Sequence, residues 1–425
     1  MRPDRRVQGR LRRDNVFMTL RDDLTRLVGL SYATTWETFD WVRSHPKVFG
    51  LSPTKTARWK TPGEPAFVSN LLEYPVNQYR LWHVIQRHLQ PLGLSKGRPL
   101  VSAVFIHQKP KVQFKGFRGH VELGDLLLVR QHFQSKVSAP QGRAFLVQAK
   151  SCARPSTGSL KDKEAQQFAL YSDWSRSFVF PHKEIGAPPD GSGRWNFTLG
   201  PAPHSNSGVY GLVANSPSVL ASFPAQCPWA VGYAQAPTTG SLPSVSAGLS
   251  LAEVLEGFLL GSWGRRWEAS PSATDHWSSF IVECLRVATS WSPYPVQRTG
   301  SNGKNALTRR RDVLALVHAL SRLPTSAPTA WELPWTFASD DELGVRRQRT
   351  QRLTAEWENS LGDGGGDSED PPDALDVARV SPSGGVSVLY VATFGDNPLT
   401  GDDTGPGPAA SAGNDSPQHT DGGSW

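Results

Sequence analysis

Two short apolar runs limit the folds open to this chain more than any other feature. The first is Val121-Glu122-Leu123-Gly124-Asp125-Leu126-Leu127-Leu128-Val129. The second is Ala144-Phe145-Leu146-Val147-Gln148-Ala149-Lys150. Each is the length of a strand, apolar on both alternating faces, with polar residues gathered near one end. That is the pattern of a strand buried on both sides. Helical patterns surround them. One spans 20–30. A second starts at the capping box Thr34-Thr35-Trp36-Glu37 and stops at Pro46. A third spans 75–89, with Pro75 suited to the first turn and Val76, Tyr79, Trp82 (or His83), Ile85 and Leu89 at helical spacing. A further apolar run covers 100–107, a helix is expected at 163–174, and a short strand at 177–180. The order of helix, three-stranded meander, helix and strand predicts an α/β core.

If the runs 122–129 and 144–149 pair as an antiparallel hairpin, Asp125 stands opposite the end of the second strand. Gln148 and Lys150 share a face, because side chains alternate with period two. The three then converge. Phosphodiester hydrolysis uses such a cluster. A carboxylate holds Mg²⁺, which neutralises phosphate charge and acidifies a bound water, and a lysine stabilises the negative charge that grows. The Ala149 carbonyl adds a hard oxygen. An ordinary ion pair capping two strand ends is the competing reading of Asp125 and Lys150.

The set Asp125 … Gln148-Ala149-Lys150, with its flanking helices, resembles the PD-(D/E)xK nuclease superfamily, in the Mrr-like branch where Gln replaces the acidic residue before x-Lys. The resemblance covers roughly residues 65–180. It implies a restriction-endonuclease-like core and a Mg²⁺-dependent deoxyribonuclease, with Mn²⁺ as a substitute. Double-stranded DNA is the implied substrate, in restriction, anti-phage defence or repair. The implied catalytic residues are Asp125, Gln148, Lys150 and Glu73, and the metal set is Asp125, Glu73, Gln148 and the Ala149 carbonyl. Glu73 lies just before Pro75, at a helix start rather than inside a helix, so Glu122 is the alternative extra carboxylate. Its three-residue offset from Asp125 needs a bulge to bring both to one face. Gln166 or Gln167 is the polar residue expected from the following helix. A neutral Gln148 removes one ligand charge. Either another carboxylate compensates, or the domain is a degenerate nuclease that binds DNA or scaffolds a complex without cutting.

Charge agrees with a polyanionic partner. The net charge is +7, yet residues 361–425 hold eleven acidic residues against Arg379 alone, which leaves +17 on residues 1–360. Two basic clusters stand out, Lys304 with Arg309, Arg310 and Arg311, and Arg346 with Arg347, Arg349 and Arg352. Trp263 and Trp267, flanking Arg265 and Arg266, are expected in the core rather than on a base-stacking surface. Three scattered cysteines, Cys152, Cys227 and Cys284, exclude a disulfide framework and a cysteine zinc site, and fit a cytoplasmic protein. No apolar run is long enough to span a bilayer. No Walker, H-E-x-x-H or G-x-S-x-G motif is present. The organisation expected is an N-terminal helical region (1–64), the nuclease-like domain (65–185), a mostly helical accessory domain (190–360) and an acidic disordered tail (361–425). In the accessory domain, strands are expected at 195–199 and 209–213 and helices at 250–260, 274–288 and 308–323. The tail carries one exception, a strand at 386–393 able to dock on the body. A homodimer or a defence-complex partner fits this plan.

Overall fold

The computed structural model describes residues 18–46, 53–72, 76–97, 99–104, 110–114, 119–134, 140–155, 165–172, 174, 177–181, 185–199, 207–218, 227–235, 244–289 and 386–399. The helix expected at 308–323, both basic clusters and Glu73 lie outside them.

In chain order the elements begin with four helices: α1 (Leu20–Ser44), α2 (Pro53–Thr56), α3 (Glu64–Leu71) and α4 (Val76–Leu89). Five strands follow, β1 (Leu100–Val104), β2 (Lys111–Phe114), β3 (Val121–Glu122), β4 (Leu126–Gln134) and β5 (Gln141–Cys152). After them come α5 (Ala165–Ser172), β6 (Phe178–Val179), β7 (Gly208–Ala214), β8 (Trp229–Gln235) and β9 (Ser244–Ser250). The chain continues with α6 (Leu251–Leu260), β10 (Arg265–Trp267), α7 (His276–Thr289) and β11 (Ser387–Gly395).

The main sheet has the order β1-β11-β4-β5-β7-β8-β9, with β10 pairing β5 beside β7. It is mixed: β4/β11 and β5/β7 run parallel and the other pairs antiparallel. One face is covered by α1, α3, α4 and α6, whose Leu24, Phe67, Ile85 and Phe258 pack with Leu128, Phe145 and Val147 of the sheet. The other face is covered by α5 and α7, through Phe168, Tyr171, Trp277 and Phe280, against Leu127, Leu146 and Tyr210. Burial on both sides explains why β4 and β5 read as continuous apolar runs. Phe168 is buried, as the spacing of the 163–174 segment requires, and so are Trp263 and Trp267. Among the described residues no helix is long and apolar enough to cross a membrane.

Several expectations need correction. The segments 20–30 and 34–46 form one helix. Thr34 and Thr35 turn their hydroxyls back to the Leu30 and Ser31 carbonyls, at 2.9 and 3.0 Å, so the capping box is not used. A hydroxyl can cap a helix or bond back into it, and the apolar stripe Leu24, Leu27, Val28, Tyr32, Trp36, Phe39 continues unbroken across the position. The box at Ser250 and Glu253, by contrast, caps α6 with both reciprocal bonds present. The expected meander is also incomplete. β4 and β5 form the hairpin, but β11 lies between β1 and β4. The run 122–129 breaks into β3 and β4, and the strand at 178–179 joins β2 and β3 in a separate small sheet. Of the strand expected at 195–199, one bridge forms, Trp195 to Phe178. The strand that follows α5 in the main sheet is β7. The described part of 190–360 is not mostly helical: β7, β8 and β9 extend the main sheet, β10 joins it, and two helices pack on it. The strand expected at 386–393 is β11, a central strand rather than an appendage.

Candidate functional site

Asp125 occupies the break between β3 and β4. Its amide donates to the Val147 carbonyl at 3.0 Å. The β4/β5 register pairs Leu126 with Val147, so continuing it by one residue sets Asp125 across from Gln148. Both residues face α5. Where strand β4 has not yet begun, the Asp125 side chain takes the place of backbone: Oδ2 accepts the Ala149 N–H at 2.7 Å. The same oxygen accepts the Gln148 side-chain amide. The Gln148 Oε1 in turn accepts the Gln167 amide, which also donates to the Glu122 carbonyl at 2.9 Å. A chain of side-chain bonds therefore runs Gln167, Gln148, Asp125, and all three residues are buried.

One helical turn beyond Gln167, the Tyr171 hydroxyl donates to the Leu123 carbonyl at 2.8 Å. Gln167 and Tyr171, at i and i+4, lie on one face of α5 and grip two successive carbonyls of the break that carries Asp125. Gly124 makes the grip possible. A Cβ there would stand 2.9 Å from the Tyr171 hydroxyl.

Electrostatics single out Asp125. Burial raises its pKa well above the usual carboxylate range, and Glu122 and Glu64 push it further. Lys150 and the Ala149 N–H oppose the shift. Lys150 is half-buried on β5, two residues beyond Gln148 and on the same face. A buried carboxylate with two more carboxylates acting on it is a site short of positive charge.

Glu64 is the residue that sequence reasoning missed. It heads α3, and its Oε1 accepts the Ser151 N–H at 3.0 Å, at the end of β5 next to Lys150. The signal lay in Gly63-Glu64-Pro65, an acidic residue and a proline opening an apolar stretch, which is a helix-start pattern. The Tyr171 hydroxyl was likewise unforeseen, since in sequence that tyrosine is one more apolar position of the α5 stripe. Of the two glutamines weighed, Gln167 reaches the site, while Gln166 is half-buried beside it. Glu122 sits on β3, half-buried, close enough to act on Asp125. The break between β3 and β4 relaxes the strict alternation that would have turned it away.

As placed, Gln148 meets Asp125 with its amide nitrogen, because its oxygen is engaged by Gln167. Ligation by that oxygen would require both amides to turn over. Among the described residues no three His, Cys, Asp or Glu side chains gather into a metal-binding group. A cation here would draw on Asp125 together with Glu64 or Glu122, the Ala149 carbonyl and solvent. These are hard oxygen donors, as Mg²⁺ prefers.

Comparison with protein-family models, with curated proteins and with solved structures gives no match.

Proposed function

We propose that this chain is a metal-dependent nuclease acting on DNA, with a restriction-endonuclease-like core formed by α3, the β4/β5 hairpin, α5 and β7. One observation carries the reading. Asp125, in the break before β4, lies across from Gln148 of β5, Lys150 two residues on shares the Gln148 face, and α5 holds the arrangement through Gln167 on Gln148 and Tyr171 on the Leu123 carbonyl. The site's demand for positive charge fits a divalent cation, for which Asp125 would be the first ligand and Glu64 or Glu122 a second. When bound, such an ion supplies charge neutralisation at a phosphate and acidifies water. The chain's own groups do the rest. Gln148 and the Ala149 N–H fix the orientation of the Asp125 carboxylate. Lys150 brings a cation to the mouth of the site, where it orients a water and stabilises negative charge as it develops. The net basic charge of residues 1–360 draws the substrate's phosphates.

The test is incubation of purified protein with supercoiled and linear DNA in Mg²⁺, in Mn²⁺ and in EDTA. Cleavage should need a divalent ion. Asp125→Ala and Lys150→Ala should each lower the rate at least a hundredfold, the scale on which a preorganised charge contributes, about 3 kcal/mol, with DNA affinity largely retained. Unchanged cleavage in both variants would place the active site elsewhere. A second reading is favoured by the amide of Gln148, which satisfies Asp125 without any metal. On that reading the domain is a degenerate nuclease that binds DNA, and wild type then binds without cutting under every ion.

A further inference from the structure

The small sheet of β2, β3 and β6 has one face in the core and one outside. Val112, Phe114, Phe178 and Phe180 pack with Trp195 and Phe197 in the core on the α5 side of the main sheet. That is the side on which Asp125, Gln148 and Gln167 meet. Alternation along the strands turns Lys111, Gln113, Ser177 and Val179 to the other face, and Lys111 and Gln113 are exposed there. Trp195 bridges Phe178, so Arg194, its neighbour in the chain, lies on the outer face too. The Arg194 guanidinium donates to the Ser177 hydroxyl at 3.2 Å and to the Ser177 carbonyl at 3.0 Å.

Two observations say what this face fits. The first is charge. Lys111 and Arg194 are its cations, and among the described residues neither has a carboxylate partner. Glu122 is the one acid on the three strands. The second is continuity with the Asp125 site. Lys111 pairs with Glu122 in the β2/β3 register, and the pairing runs on to the Leu123 N–H, which donates to the Pro110 carbonyl at 2.9 Å. Asp125 follows two residues later, and the Glu122 and Leu123 carbonyls are the two that Gln167 and Tyr171 hold. Outward from the site the face reads Glu122, then Lys111 and Gln113 one strand on, then Arg194 two strands further. At about 4.8 Å per strand this is about 14 Å, the axial rise of about four phosphates on one DNA strand.

We propose that the outer face of the small sheet is the track along which the sugar–phosphate backbone of DNA reaches the Asp125 site, with Lys111 and Arg194 each on a phosphate and the Gln113 amide between them. Cations without carboxylate partners keep their charge for a polyanion. Contacts of this kind set the register of a strand without reading its sequence. The acid at the inner end does not interrupt the track, because Glu122 is half-buried and is one of the carboxylates that would share a cation with Asp125. The track rests on the nucleic-acid reading of the site but not on cleavage.

The experiment follows fluorescence anisotropy of a labelled DNA duplex across a salt titration, with the full chain in EDTA. Each phosphate contact releases about one counterion. Lys111→Gln and Arg194→Gln should therefore each weaken binding about eightfold at about 0.1 M salt and flatten the salt slope by about one, equally for two unrelated sequences. Lys111→Arg keeps the charge and should bind as wild type does. The double variant Arg58→Gln/Lys60→Gln is the control. It removes the same charge as Lys111→Gln/Arg194→Gln, from exposed residues beside Trp59 in the core on the other side of the main sheet, and should change the slope much less. An equal loss in the two double variants overturns the proposal, as does a Lys111→Arg that binds as weakly as Lys111→Gln. Lys111 is exposed, so its variants decide the matter if Arg194→Gln, which loses the bonds to Ser177, fails to fold. Wild type that binds no DNA would remove the nucleic-acid reading itself, whereas binding that the track variants leave unchanged removes the track alone. Asp125→Ala tests cleavage separately and should bind as wild type does.

Discussion

Replacing Gly124 with alanine inserts a methyl group where the Tyr171 hydroxyl now sits. The new Cβ would lie 2.9 Å from that oxygen and 3.3 Å from Leu146 Cδ2. Ordinary contact needs several tenths of an ångström more, so the hydroxyl must withdraw from the Leu123 carbonyl it bonds at 2.8 Å. Both groups are buried. Leaving them unpaired costs about 1–3 kcal/mol, and crowding the core adds about 1–3 kcal/mol, for a total of roughly 2–6 kcal/mol. Tyr171→Phe alone leaves the carbonyl unpaired and costs about 1–2 kcal/mol. In the double variant the methyl occupies the room that the hydroxyl vacated. The crowding disappears and the lost bond is counted once, so the pair should cost only about 1–2 kcal/mol, with a coupling of at least about 2 kcal/mol. Urea unfolding of the four proteins, followed by tryptophan fluorescence, measures the cycle. Additivity within about 0.5 kcal/mol would show that the residues act independently, and the account of how α5 holds the Asp125 break would be wrong.

Ending the chain after residue 385 removes β11, eight of whose nine residues are buried, and leaves β1 and β4 without their shared partner. That loss exceeds a typical domain's total stability of about 5–15 kcal/mol, so circular dichroism should show no cooperative transition. Ending it after residue 399 keeps the strand and sheds Asp402, Asp403, Asp415 and Asp421. The thermal midpoint should hold, and DNA affinity should rise at low salt but not at high salt; equal affinity at every salt concentration would remove the acidic residues as competitors. His132 is buried with Nε2 on the Asn397 carbonyl and Nδ1 on the Thr393 hydroxyl, both at 2.8 Å, and burial, with Arg130 adding, pushes its pKa down to about 4. The unfolded chain, with histidine near 6.5, takes up the proton first. Stability therefore falls as pH drops from about 6.5 to 4, by roughly 3 kcal/mol, and a His132→Asn variant with the same pH slope would refute the assignment. Gln148→Glu puts a second carboxylate against buried Asp125, so it should lower stability without metal and gain more from added Mg²⁺ than wild type does; identical shifts in melting temperature would show that no cation binds there.

The sequence by itself determined β1, β4, β5, β6, β7 and β11 and most of the helices, but not β2, β8, β9 or β10. Strand runs apolar on both faces can only lie in a sheet covered on both sides, and the period of two along β5 puts Gln148 and Lys150 on one face whatever else the chain does. The Ser250 cap was legible for the same reason, since its bonds close within four residues. What needed the tertiary structure are the relations that span long stretches of chain. Gly63-Glu64-Pro65 marks Glu64 as a helix start, but its place at the site is set only when α3 docks it on the Ser151 amide. Thr34 and Glu37 have the spacing of a cap, yet packing of the whole α1 stripe decides against it. Tyr79 and Trp82 have the spacing of a core face, yet they are half-buried and outside the core that takes Leu81, Val84 and Ile85. The place of β11 is the extreme case. Its apolar residues announce a strand, but the gap it fills between β1 and β4 is made by residues some 260 to 290 positions earlier. Propensity and periodicity act over a few residues, whereas the choice of partner is made by whichever long-range arrangement buries the most apolar surface and leaves the fewest backbone groups unpaired.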